Sequence, residues 1–191
     1  MLAPTAIFRL VSHRCSTTQW LSLTDCVAYS SGNRCKWAHQ PLSGEGAARH
    51  GGRFNEPGTE ALYISEDYIT AISEYEQELG IRPGTLCAYD IDVKGIVDLT
   101  DPQVQTACSI TPAILKSAWK EIWLVQKQRP PTWDIAARLM AASYAGVRVP
   151  SVRHFSGVNI VFWKWNDHPA RQVTVLDPMS DLPGDQRSWN P

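Results

Sequence analysis

At 191 residues the chain has room for one well-buried core and not for two domains of ordinary size. Its 18 lysines and arginines against 19 acidic residues leave a net charge of -1, which excludes a global attraction to nucleic acid or to an anionic membrane surface. Five cysteines, at positions 15, 26, 35, 87 and 108, are odd in number and widely spaced, a pattern that points away from a disulfide framework and towards a reducing compartment, the cytoplasm.

The opening run MLAPTAIFRLVSHRC has too short an apolar stretch before Arg9 for a signal sequence, and no later segment approaches spanning length, so a soluble protein is expected. Residues 5–12 (TAIFRLVS) read as a strand. The stretch at 41–65 then places five glycines with Arg49 and Arg53 in loop-like sequence that passes directly into a strand at 59–65 (TEALYIS). A helix follows at 66–79, with Ser65 as its N-cap and Ile69, Ile72, Tyr75 and Leu79 as its core-facing stripe; Glu74 shares the other face with Asp67, Thr70 and Glu78. TLCAYDIDV at 85–93 sets Cys87, Tyr89, Ile91 and Val93 against polar Asp90 and Asp92, the alternation of a half-buried strand. Helices are expected at 112–127 and at 132–145, the second stopped by Gly146. GVNIVFWKW at 157–165 is almost continuously apolar, as a strand covered on both faces would be, with Trp163 and Trp165 on one face; RQVTVLD at 171–177 alternates again. The last residues read as a proline-punctuated tail that packs through Trp189 or frays. Strands and helices do not alternate regularly, which favours an α+β domain with one central mixed sheet over a doubly wound one.

The glycine-arginine stretch matches neither of the common phosphate cradles. A P-loop needs Gly-Lys-Ser/Thr after four residues, and a dinucleotide fingerprint needs a third glycine where Arg49 stands. What remains is an anion clamp in which Arg49 and Arg53 grip oxygens by paired donors, weighed against an ordinary turn with solvated arginines. Glu74 belongs either to a solvated acidic face or to a site, and Tyr63 either to the core or to a ligand platform. Cys15, Cys26, Cys35 and His39 lack the short Cys-to-Cys spacing that organises zinc, so no metal site is expected; no Gly-x-Ser-x-Gly nucleophile motif occurs.

Taken together, LSGEGAARHGGRFN, GTEALYIS, AISEYEQEL, GVRVPSV and GVNIVFW resemble the RES-domain toxins of bacterial toxin–antitoxin systems, from about residue 34 to 177. The resemblance implies one RES-type catalytic domain over 1–191, with a fold like that of the NAD-consuming ADP-ribosyltransferases and NAD as the substrate. It makes Arg53 the phosphate-side arginine, Tyr63 the strand tyrosine that stacks on nicotinamide, Glu74 the helix glutamate and Ser151 the serine that meets the carboxamide or a ribose oxygen. The upstream arginine is either Arg34 or Arg9. The implied activity is transfer of ADP-ribose to a protein, with phosphoribosyl pyrophosphate synthetase as an acceptor known in the family. Hydrolysis or phosphorolysis of NAD, and non-catalytic nucleotide binding, are the competing readings. A cognate antitoxin, helical and related to Xre-type repressors, is the implied partner.

Overall fold

The computed structural model describes residues 20–24, 39–76 and 85–185. Within them seven strands form one sheet: β1 (Trp20–Thr24), β2 (Leu62–Ser65), β3 (Thr85–Val93), β4 (Ile96–Asp98), β5 (Gly146–Pro150), β6 (Val158–Phe162) and β7 (Arg171–Leu176), in the order β4-β5-β6-β2-β1-β3-β7. The β4–β5 pair is parallel and every other pair antiparallel, so the sheet is mixed, as expected. The helices are α1 (Glu45–His50), α2 (Tyr68–Tyr75), α3 (Pro102–Ala107), α4 (Pro112–Leu115), α5 (Trp119–Leu124) and α6 (Pro131–Ala141). No helix among the described residues is long and apolar enough to cross a membrane.

Alternation along the strands divides the core in two. On one face Val97, Val147, Val149 and Val161 pack with Leu115 of α4 and with Ile135, Ala136 and Leu139 of α6. On the other, Leu62, Ile64, Cys87, Tyr89, Ile160, Phe162 and Val173 form a second cluster. The continuously apolar β6 thus contributes Val161 to one cluster and Ile160 and Phe162 to the other, which is why its sequence shows no polar alternation.

Several expectations are corrected. The glycine-arginine stretch is not loop throughout, because α1 occupies its first half. The helix expected at 112–127 is two short helices, since the chain leaves α4 at Lys116 and re-enters helix at Trp119. Gly146 does not stop α6, which ends at Ala141; it opens β5, where a Cβ would run into the Val161 carbonyl of the neighbouring strand. Trp163 and Trp165 join opposite clusters because β6 ends at Phe162 and strand alternation stops there. The N-cap of α2 is Asp67 and not Ser65. The expected face of that helix is also shifted: Thr70 and Ala71 are buried and Ile69 is exposed, while Ile72, Glu74 and Tyr75 are all half-buried. β1, β4, β5, α1 and α3 were not expected from periodicity. The strand at 5–12, Trp189, and Glu78 and Leu79 of the expected longer helix lie outside the described residues.

Candidate active site

The turn that carries Arg53 is fixed from every side. Gly52 and Asn55 pair across it as an isolated antiparallel bridge. Asn55 is completely buried; its Nδ2 donates to the Ala47 carbonyl (2.9 Å) and the Thr59 carbonyl (2.8 Å), while its Oδ1 accepts from the Tyr63 hydroxyl at 2.7 Å. That hydroxyl in turn accepts the Phe54 N–H at 3.0 Å. Indole N–H groups of Trp133 and Trp163 donate to the Gly52 carbonyl (2.7 Å) and the Phe54 carbonyl (2.8 Å). A Cβ on Gly52 would collide with both the Tyr63 hydroxyl and Asn55 Oδ1, so the close approach demands glycine. Burial pushes the Tyr63 hydroxyl well above its ordinary pKa, keeping it a neutral donor.

Held this way, Arg53 extends Nη1 to the carbonyl of Leu115 (3.2 Å), the last residue of α4, and to that of Ser117 (2.5 Å), which also accepts the Trp119 N–H at 2.9 Å. Burial lowers the Arg53 pKa, the charges of Glu74 and Tyr63 oppose that shift, and Arg153 adds to it. The guanidinium therefore lies in the electrostatic reach of Glu74, yet among the described residues it forms no ion pair with a carboxylate.

Glu74 is gripped on one oxygen. Ser151 Oγ and Asn159 Nδ2 each donate to its Oε1 at 2.7 Å. Asn159 stands opposite Ser65 in the β2–β6 register, on the same face of the sheet, and the Ser65 hydroxyl donates to Asn159 Oδ1 at 2.7 Å. Ser151 Oγ also accepts the N–H groups of Arg153 (3.1 Å) and His154 (3.0 Å), so its one proton and both lone pairs are engaged. Its loop closes through the Ser151 N–H to the Gly157 carbonyl at 2.8 Å. No hydrogen bond to Glu74 Oε2 occurs among the described residues.

The start of α2 is tied to the same loop. Asp67 accepts from the Thr70 N–H (2.8 Å) and from the Thr70 hydroxyl (2.6 Å), and His154 Nδ1 lies 2.8 Å from that hydroxyl. Since the single hydroxyl proton goes to Asp67, Nδ1 carries the proton of the second bond. Burial pushes the Asp67 carboxyl up, but the Thr70 bonds and the His154 charge outweigh it and leave the group below its ordinary value. On the opposite face of the sheet, Arg148 of β5 bonds Asp98 Oδ2 (2.9 Å) and Thr100 Oγ1 (2.7 Å) and pairs with Glu66, anchoring the β2–α2 junction.

Of the residues singled out from sequence, Glu74 and Ser151 are in direct contact, Arg53 acts on Glu74 through space, and Tyr63 supports the Arg53 turn. Arg49 instead pairs with Glu45 on the exposed side of α1. Arg9 and Arg34 lie outside the described residues. Asn159 and Asn55 escaped the sequence reading; the one visible signal for Asn159 is a lone amide interrupting an apolar run. A separate cavity, lined by Cys108, Ile110, Ile135, Arg138, Leu139 and Tyr144, contains none of these residues. The arrangement offers a carboxylate fixed through one oxygen, with a guanidinium suited to an anion in its electrostatic reach.

Residues 27–185 match the family model described as RES domain. Among solved structures, the chain is similar to one in the crystal structure of the M. tuberculosis MbcT–MbcA toxin–antitoxin complex, with a TM-score of 0.54 and 22% identity over 84% of this chain and 84% of that one. At that identity the likeness is one of fold. No curated protein matches the chain.

Proposed function

The chain belongs to the RES-domain family, and from that premise we propose that it is a bacterial toxin that uses NAD to ADP-ribosylate a cellular protein. In this reading residues 1–191 act as one catalytic domain in the cytoplasm, and a cognate antitoxin, helical and Xre-like, neutralises it. The similar solved chain is itself part of a toxin–antitoxin complex, which supports the partner.

The observation that carries the reading is the Glu74 carboxylate, pinned through Oε1, with no hydrogen bond to Oε2 among the described residues and the Arg53 charge in its electrostatic reach. Breaking the bond between nicotinamide and ribose sends its electron pair to nicotinamide, which leaves neutral, and positive charge grows on the ribose ring. A carboxylate held near the ribose stabilises that charge more as it develops than before, which is what lowers the barrier. Arg53 holds the pyrophosphate, together with Arg34 or Arg9, and the Tyr63 ring faces the nicotinamide. Ser151, whose hydroxyl is fully engaged, acts on the substrate through Glu74. The acceptor then adds to the ribose carbon and loses a proton; phosphoribosyl pyrophosphate synthetase is the candidate protein acceptor.

Incubating the purified protein with NAD and following nicotinamide, with and without a bacterial lysate and labelled NAD, tests this. Label transferred to a protein supports the proposal. Nicotinamide release with no labelled protein points to hydrolysis, or to phosphorolysis if it requires phosphate. No release at all reduces the site to a nucleotide-binding module.

A further inference from the structure

Resting on the assignment of Glu74 to NAD cleavage, we propose that Asn159, itself held by Ser65, is a positioning residue that fixes the Glu74 carboxylate for the reaction. Three hydrogen-bonding side chains stand in line: the Ser65 hydroxyl donates to Asn159 Oδ1 and Asn159 Nδ2 donates to Glu74 Oε1, both at 2.7 Å. The orientation of the amide is determined by chemistry, because an ionised carboxylate only accepts and so must face the NH2 side. Ser65 completes the case from the other end by donating to the carbonyl side.

The two sheet residues occupy directly opposed positions on rigid neighbouring strands, whereas Glu74 sits near the end of a helix of 8 residues and Ser151 on a loop. Of the two donors to Oε1, Asn159 is therefore the one mounted on the scaffold, and precise placement is better supplied by strands than by loops. Both donors converge on the same oxygen, which leaves Oε2 directed to substrate. An apolar residue at Asn159 would suit β6 better as a strand, since Ile160, Val161 and Phe162 are all buried. A polar amide in that run costs desolvation unless it is bonded, and both of its ends are bonded here.

Three variants test the proposal, each checked for retained melting temperature and NAD affinity. Asn159→Ala lowers kcat for nicotinamide release about ten- to hundredfold, the loss expected for one hydrogen bond to a charged group, while KM for NAD stays within about twofold. Ser65→Ala, which frees the amide to turn, produces a smaller loss of the same kind. Asn159→Asp is nearly isosteric but sets two carboxyl groups against each other, so its kcat recovers as pH falls from about 8 to about 6 and one shared proton restores a donor. A merely structural Asn159 would give no such pH-dependent rescue. A crystal structure of Asn159→Ala supplies a readout free of turnover, with Glu74 leaving its place against Ser151 or occupying several conformers. Unchanged kcat, or Glu74 fixed in place in that structure, overturns the proposal. If the wild type releases no nicotinamide, the catalytic reading of Glu74 fails on that result, and the crystal structure alone decides whether Asn159 positions the carboxylate.

Discussion

One oxygen of Glu74 takes two hydrogen bonds while the other takes none from the described residues, and this asymmetry determines what a substitution there does. In Glu74→Gln the amide can keep its oxygen towards Ser151 and Asn159 and turn its NH2 outward, so the fold and NAD binding persist. The outward group then offers no negative charge to a developing cation, and kcat for nicotinamide release falls by about a hundredfold or more. Equal release by that variant and the wild type would remove Glu74 from the chemistry. Arg53→Ala has two consequences, because the same guanidinium meets the Leu115 and Ser117 carbonyls. Calorimetric titration should show NAD binding weakened by about tenfold or more, and urea unfolding should show a loss of about 1–3 kcal/mol from the lost bonds to the two carbonyls. An unchanged affinity would leave Arg53 with the structural part alone. Asn55→Ala is the contrasting case: it touches no substrate, yet it strips a completely buried amide from two carbonyls and the Tyr63 hydroxyl. About 3 kcal/mol of stability should be lost in the same unfolding experiment, and a cost below about 1 kcal/mol would show that water replaces the amide without penalty.

α2 shows how a short helix delivers one side chain of the candidate site. Helices of this length are not stable by themselves, so its 8 residues depend on the cap at Asp67 and on packing against β1 and β2. The depressed pKa of Asp67 has a definite sign in stability: its contribution is complete above the unfolded value of about 3.9 and is lost as pH falls through the lower folded value. Asn also caps helices but carries no charge. Asp67→Asn should therefore melt below the wild type above about pH 4 and approach it as the pH drops further, whereas a gap independent of pH would detach the cap from the His154 and Thr70 network. The same helix explains where sequence reasoning went astray. Spacing alone identified a helix and set Glu74 apart from Ile69, Ile72 and Tyr75, but hydrophobicity turned Ile69 inward and Thr70 outward, the opposite of what the structure shows at both positions. The side that turns inward carries Thr70, whose hydroxyl meets Asp67 and His154, and Glu74, which meets Ser151 and Asn159. Polar residues satisfied by distant partners look solvent-facing in a local pattern, and their partners lie 77 to 85 residues away. Local alternation, by contrast, sufficed for β3 and β7, and the continuous apolar run for β6, whose side chains meet apolar neighbours on both faces.

Across the sheet, the apolar row that begins with Tyr63 and Val161 becomes polar at Ser65 and Asn159, so the candidate site lies where the helix-covered core ends. Core and site are consequently one continuous surface, and the turn bearing Arg53 is braced by Trp133 and Trp163, the latter within that core. The motifs that carried the family resemblance map onto this border: GGRFN onto the turn, TEALYIS onto β2, the Glu74 helix and the VPSV serine onto its two sides. The short β1 and β4 and the α4–α5 break carried no comparable signal, and β5 stood out only within the GVRVPSV motif, because unlike β2 and β6 these strands of 3 to 5 residues are not part of a longer patterned run. The place of the candidate site at the sheet border also gives the cellular test its control, since Glu74→Gln alters the oxygen that Ser151 and Asn159 leave unbonded and keeps the core intact. Expression of the wild type without its antitoxin should arrest bacterial growth, and Glu74→Gln at equal protein level should relieve the arrest. The NAD pool separates the chemistries: near depletion before growth stops indicates NAD destruction, because bulk cofactor must be consumed, whereas arrest with the pool largely preserved indicates transfer to a scarcer protein. Transfer is the expected outcome. Equal arrest by wild type and variant would mean that toxicity arises from binding or aggregation, and both enzymatic readings would then fail together.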